Sequence, residues 1–154
     1  MKKGFTLVEV LVAMALFMAL TVGLIGLTQL SVKASRVSRL KVKAMNVLNE
    51  TMEATMAVRA SNFGSLSEGS YHPEIVADKW GLVSGTETVG TVTRWVEISR
   101  VQREISCGGE RICPVVESGG VIDPVTFKAK AVVTWLENGE TIREELESLL
   151  TFWR

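Results

Sequence analysis

Apolar residues fill the chain from Leu7 to Val32 almost without a break, and the pattern then changes twice. From Val10 to Val32 there are 23 residues without a charge. As a helix such a run is about 35 Å long, enough to cross a hydrocarbon core of roughly 30 Å with some tilt. It exceeds the roughly 7–15-residue apolar core of a cleaved secretory signal, although Ala13-Met14-Ala15 imitates a small-x-small cleavage site. Beyond Val32 the apolar positions thin out to Val37, Leu40, Ala44, Val47 and Leu48, which is helical spacing. Met45, Leu48, Met52 and Met56 form an adjoining stripe, read as packing against the rest of the chain, with a partner groove as the alternative. No proline precedes Pro73, so the spacing predicts one helix over about residues 5–60, of order 80 Å long. Ser61-Asn62-Phe63-Gly64 and the Ser/Gly-rich stretch to Ser70 end it.

From Tyr71 the period drops to two. Tyr71–Ala77 and Lys79–Val83 read as short strands bounded by Ser84-Gly85 and Gly90. Thr91–Ile105 reads as a longer strand with Val92, Val96 and Ile98 on one face. The step from Ile98 to Val101 breaks the alternation and predicts a bulge or bend. Phe127, Ala129, Ala131, Val133 and Trp135 alternate with more polar neighbours, and Asn138-Gly139 follows as a two-residue hairpin turn. Ile142, Leu146, Leu150 and Phe152 supply one face of the returning strand. The fold class expected is α+β, a long N-terminal helix packed on a C-terminal antiparallel sheet. The amphipathic half of the helix covers the apolar face of that sheet.

Charge sharpens this division. The 154 residues balance 17 Lys/Arg against 17 Asp/Glu. Residues 1–60 nevertheless hold eight basic and three acidic side chains, and residues 61–154 hold nine and fourteen. Neither half has the basic, aromatic-laced face of a nucleic-acid binder, so no nucleic-acid partner is expected. Glu9 is the only charge between Lys3 and Lys33. A lone carboxylate in hydrocarbon costs about 2.5–3.5 kcal/mol on insertion scales, so its retention asks for a reason. Lys33, Arg36, Arg39, Lys41 and Lys43 outnumber Lys2 and Lys3, which by the positive-inside count favours a cytoplasmic C-terminal side. An exported disulfide argues the other way, and the residues alone leave the orientation open.

The remaining chemistry is sparse. Cys107 and Cys113 bracket Gly-Gly-Glu-Arg-Ile, a loop short and flexible enough to close into a disulfide, with a free thiol pair as the alternative. The one histidine, His72, stands in Tyr-His-Pro with no ligand cluster nearby, so no metal is expected. There is no G-x-S-x-G, no phosphate-cradling glycine loop and no H-E-x-x-H. Glu144, Glu145 and Glu147 read as a solvated strand surface. Neither catalysis nor a cofactor is expected.

Lys2-Lys3, then Gly4-Phe5-Thr6-Leu7-Val8-Glu9, then the apolar run, resemble the N-terminal signal of type IV prepilins. The elements are a short basic leader, a glycine, an aromatic residue and a glutamate four positions after it. The long helix, the antiparallel sheet and the C-terminal cysteine pair extend the resemblance. Trp80-Gly81-Leu82-Val83-Ser84-Gly85 and Leu149-Leu150-Thr151 followed by Trp153-Arg154 look like minor pilins of the PilV type.

The resemblance implies a pilin-like fold and a processing route. A membrane-embedded aspartyl prepilin peptidase would cut between Gly4 and Phe5, and the new amino group on Phe5 would be methylated. Residues 1–4 are then a leader, and residues 5–32 the transmembrane and filament-core half of the helix. Residues 33–154 form a periplasmic or extracellular head, made of helix 33–60 and a sheet over 71–152. The protein would cross the inner membrane once with the head outside, then join other subunits through its N-terminal helix and reach the cell surface. Glu9 would neutralise the amine of a neighbouring subunit, each charge offsetting the other's desolvation. Many major pilins carry a proline midway along the apolar helix; here only Gly23 and Gly26 soften it. That favours a minor pilin, with a pseudopilin of a type II secretion system or a competence pilus as alternatives. A signal-anchored binding protein that never polymerises is the reading from a different class.

Overall fold

The computed structural model describes residues 6–105 and 113–152. One helix, α1, runs unbroken from Leu7 to Ser61, which agrees with the span expected from the apolar spacing. The chain divides inside this helix into two compact units, Met1–Lys41 and Val42–Arg154. In the first unit every described residue up to Arg36 is exposed. The hydroxyls of Thr21 and Thr28 are satisfied within the helix, donating to the carbonyls of Phe17 and Ile25.

The second unit holds the end of α1 and seven strands: β1 (Gly69–Val76), β2 (Lys79–Ser84), β3 (Glu87–Val89), β4 (Val92–Arg103), β5 (Val115–Val116), β6 (Val121–Glu137) and β7 (Glu140–Thr151). All pairings are antiparallel, in the order β2-β1-β4-β6-β7, with β3 and β5 also paired to β4. The architecture is α+β and pilin-like. The expected break in β4 is real, since its register with β6 shifts between Arg100 and Gln102. The extra residues lie on the partner: 123–126 of β6 stand opposite Val101 alone. Pro124 there has no N–H to give a ladder, so the strand bulges where nothing is lost.

The core lies between α1 and one face of the sheet. Val92, Val96 and Ile98 of β4, Phe127, Ala129, Ala131, Val133 and Trp135 of β6, and Leu150 of β7 are buried on that face. From the helix come Ala44, Val47, Leu48, Thr51, Met52, Ala54, Thr55 and Val58. Fully burying each larger apolar side chain contributes about 1.5–3 kcal/mol. The methionine stripe is only partly used: Met52 is buried, Met45 half-buried and Met56 exposed. In its place stand Thr51 and Thr55, whose hydroxyls donate to the carbonyls of Val47 and Thr51 four residues back. With the oxygen satisfied inside the helix, the threonine methyl packs like a small apolar group. After α1, Phe63 turns back to stack against Phe127 and Phe152, with ring centroids 5.6 and 5.2 Å apart.

A buried charge sits on the core face. Arg94 falls between Val92 and Val96 in the alternation, and its side chain is only 6% exposed. Its guanidinium bonds Glu50 of α1 at 2.9 Å and Glu87 of β3 at 2.8 Å, and donates to the Pro73 carbonyl of β1. Burial by itself would pull the Arg94 pKa down, but the hydrogen bonds and charges of Glu50 and Glu87 outweigh it and raise it. A single side chain thus ties the helix to three strands.

Two of the hairpin turns hold both central residues in left-handed backbone. Asn138-Gly139 (φ 52° and 89°) forms the expected turn between β6 and β7. Between β1 and β2 the same role falls to Ala77 and Asp78, at φ 50° and 60°. Alanine pays for this conformation with a Cβ–carbonyl clash. Ala77→Asn is expected to raise stability by about 0.5–1 kcal/mol, since asparagine tolerates that region and alanine does not. Denaturant unfolding of the full chain in detergent measures it, and a loss of stability would show the turn to be unstrained. Arg94→Met is expected to cost roughly 1.5–3 kcal/mol through its charged hydrogen bonds. Glu50→Gln, at a half-exposed carboxylate, costs under about 1 kcal/mol; the reverse ranking in the same assay would refute the clamp.

Candidate functional site

The N-terminus of α1 concentrates what is chemically unusual about this chain. The Thr6 carbonyl accepts the N–H groups of Glu9 (3.0 Å) and Val10 (3.3 Å), which starts the helix. Glu9 therefore stands in the first turn, where unpaired N–H groups and the positive end of the dipole favour a carboxylate by about 0.3–1 kcal/mol. On the same side follow Ala13, Met14, Phe17 and Met18. Leu7 is 77% exposed and Phe17 71%. Among the described residues no side chain pairs with Glu9. The helix is long and apolar enough to cross a membrane, and none of its most apolar stretch is buried within the chain.

Other expected site residues are placed less fully. Gly4 and Phe5, the expected cleavage and methylation positions, lie outside the described residues. Gly23 and Gly26 sit within the continuous helix, with nothing inside 4 Å of where a Cβ would stand. What the arrangement offers is an apolar rod ending in one carboxylate. Such a surface inserts in a bilayer or packs with similar helices, and its carboxylate calls for a cation from elsewhere.

Residues 1–25 match the family model described as the prokaryotic N-terminal methylation motif. The chain carries a prepilin N-terminus. The matched stretch contains Gly4, Phe5 and Glu9, and the helix that continues from it carries the pilin-like head. No curated protein and no solved structure matches the chain. The motif supports a type IV pilin-like or pseudopilin subunit and implies cleavage by a prepilin peptidase and assembly with other pilins; an N-terminal apolar helix of this kind fits a membrane-anchored pilin.

In the pilin-like head, a second constellation surrounds Cys113. Arg103 at the end of β4 bonds Asp123 at 2.6 Å, the Cys113 carbonyl at 2.7 Å and the Thr126 hydroxyl at 3.4 Å. Asp123 is buried and also accepts the Val125 N–H at 2.9 Å. A Cβ at Gly120 would collide with the Arg103 backbone carbonyl, so only glycine lets the chain pass here. Cys107 lies outside the described residues. Sequence reading did not single out Arg103 or Asp123; the polar residue ahead of Pro124 was the one available hint.

The acidic run of β7 is split by strand alternation. Glu145 and Glu147 face outward, where Lys130 bonds Glu147 at 3.0 Å and lies 3.8 Å from Glu145. Arg143 joins Glu145 at 3.3 Å and lies over the Trp95 ring. Glu144 is on the opposite face, in the row of Val133 and Arg94. The hydrogen bond from Lys130 is the main cause holding the Glu147 pKa down and the Lys130 pKa up. Among the described residues no group of three or more potential metal ligands forms.

Burial alone would raise the Asp123 pKa, yet the bonds from Arg103, Val125 and Thr126 bring it below the ordinary carboxylate value. A carboxylate depressed in the folded state stabilises above its unfolded pKa, near 4 by the usual reference of about 3.9. That contribution is lost as the pH falls through the depressed folded value. Asp123→Asn is therefore expected to lower stability at neutral pH and to flatten its decline below about pH 5. Denaturant unfolding across that pH range reads both, and an unchanged acid slope would show that the Arg103–Asp123 pair does not carry it.

Proposed function

We propose that this pilin-like chain is a minor pilin of a type IV pilus. It is inserted once in the inner membrane with the head outside, cut between Gly4 and Phe5, and methylated on Phe5. It is then built into a filament through its N-terminal helix. The observation that carries this reading is Glu9 in the first turn of a helix whose apolar stretch to Val32 is exposed throughout, inside the matched methylation motif. In an isolated membrane helix the carboxylate is a net cost. Beside the cationic amine of a cut neighbour, each charge offsets the other's desolvation, and staggered helices bury their apolar sides together. Gly23 and Gly26 then act as soft, closely packable points of the helix. A Cys107–Cys113 bond joins the two cysteines that follow Arg103 in sequence, a reading supported by the absence of a free cysteine among the described residues. The unbroken, proline-free α1 favours a minor subunit and equally suits a pseudopilin of a type II secretion system, which is the second reading.

Mass spectrometry of the mature protein is expected to find Met1–Gly4 removed and one methyl group on Phe5. An intact Met1 would instead support a signal-anchored protein that never polymerises. Glu9→Ala is expected to be processed as the wild type is and yet to be recovered in sheared filaments at less than about a tenth of its level, the loss of roughly 1.4 kcal/mol or more per contact. Normal recovery of that variant would sink the pairing account.

A further inference from the structure

The basic residues that follow the apolar run have no role in the reading above. Lys33, Arg36 and Arg39 follow Val32 within two turns of α1, over about 9 Å of helix axis. All three are exposed, and among the described residues none has an ion-pair or hydrogen-bond partner. The next two cations differ. Lys41 is already engaged, and the Lys43 ammonium lies against Gly90. No acidic residue occurs between Glu9 and Glu50, so nothing along this stretch of helix balances the three charges. Thr28, Gln29, Val32, Lys33 and Arg36 line one shallow groove, so the alkyl stems of the two cations prolong the apolar surface while their charged ends reach beyond it. A membrane span usually ends in Trp or Tyr at the water boundary, and this chain has neither before Tyr71.

We propose that Lys33, Arg36 and Arg39 form a band that binds the phosphate groups of anionic phospholipids at the end of the span. This rests on residues 10–32 crossing the bilayer. At that depth the band meets a layer of headgroups, and an anionic headgroup supplies the counter-charge that the chain does not. The same attraction would anchor the waiting subunit at a fixed depth, with Val32 at the hydrocarbon edge. It also gives the translocated side of the helix a partner for cations that the positive-inside count would place in the cytoplasm.

The test places the full chain in nanodiscs that contain both phosphatidylglycerol and phosphatidylcholine, with one or the other spin-labelled. The immobilised fraction of each lipid is read by electron paramagnetic resonance. Labelled phosphatidylglycerol is expected to be immobilised in preference, with the preference falling as salt rises and by up to roughly fivefold for each cation removed in Lys33→Gln, Arg36→Gln and Arg39→Gln. Lys79→Gln, far along the sequence on β2, is expected to leave it unchanged. Equal immobilisation of both lipids, or a preference that survives the triple substitution, overturns the proposal. Equal immobilisation with salt-sensitive cross-linking of Lys33 to a second copy also overturns it and assigns the band to the acidic surface of another subunit. A chain that fails to enter the bilayer overturns the membrane reading itself, which separates that failure from a failure of the band.

Discussion

An apolar helix with no cover of its own has to be covered by something else, and the rest of this molecule is arranged around that requirement. From Leu7 to Val32 the large side chains stand exposed, with values between 47% and 77% for Leu7, Val10, Phe17 and their neighbours. Exposed apolar patches beyond a few hundred Å² do not persist on soluble monomers. In the function proposed above, a bilayer meets the need first and other helices of the same kind meet it later. Thr21 and Thr28 suit either setting, because their hydroxyls are satisfied within the helix. Glu9 is the one ionised side chain among the described residues of that stretch, and under the proposed pairing its demand would set the register between helices.

Past Lys41 the same helix changes its mode of burial. The sheet supplies the cover, with Ala44 and Ala54 buried on the helix and Ala129 and Ala131 buried on β6. The two threonines show how polar residues enter a dry interface without penalty. Arg94 shows the costlier way. A buried guanidinium is tolerable only with its hydrogen bonds made, and both carboxylates that meet it are partly in water, which lowers the cost of bringing them there.

How much of this could be read from residues alone follows from the range of each interaction. The extent of α1, the long strands β4, β6 and β7 and the Asn138-Gly139 turn announce themselves in periods and dipeptides a few residues long. So does the prepilin N-terminus, whose Gly4, Phe5 and Glu9 fall within one short stretch of sequence. Arg94 was not legible, because its partners Glu50 and Glu87 lie 44 and 7 residues away and nothing local marks the pair. The Ala77-Asp78 turn hid because it uses residues that ordinarily avoid positive φ. Strands β3 and β5, three and two residues long, are too short to show any alternation and exist only as edges paired to β4. The Arg103–Asp123 junction depends on a bulge in β6 that brings Asp123 inward, an outcome of register rather than of composition.

The Glu50–Arg94 contact also bears on how the head would answer a mechanical load. In the proposed filament, a subunit held by its N-terminal helix would be pulled through that helix. Arg94 links the helix to β4, the strand that pairs with β1, β3, β5 and β6, rather than to either outer strand. Tension entering there is shared among four hydrogen-bonded neighbours at once. An attachment at β2 or β7 would have let the sheet peel open one strand at a time.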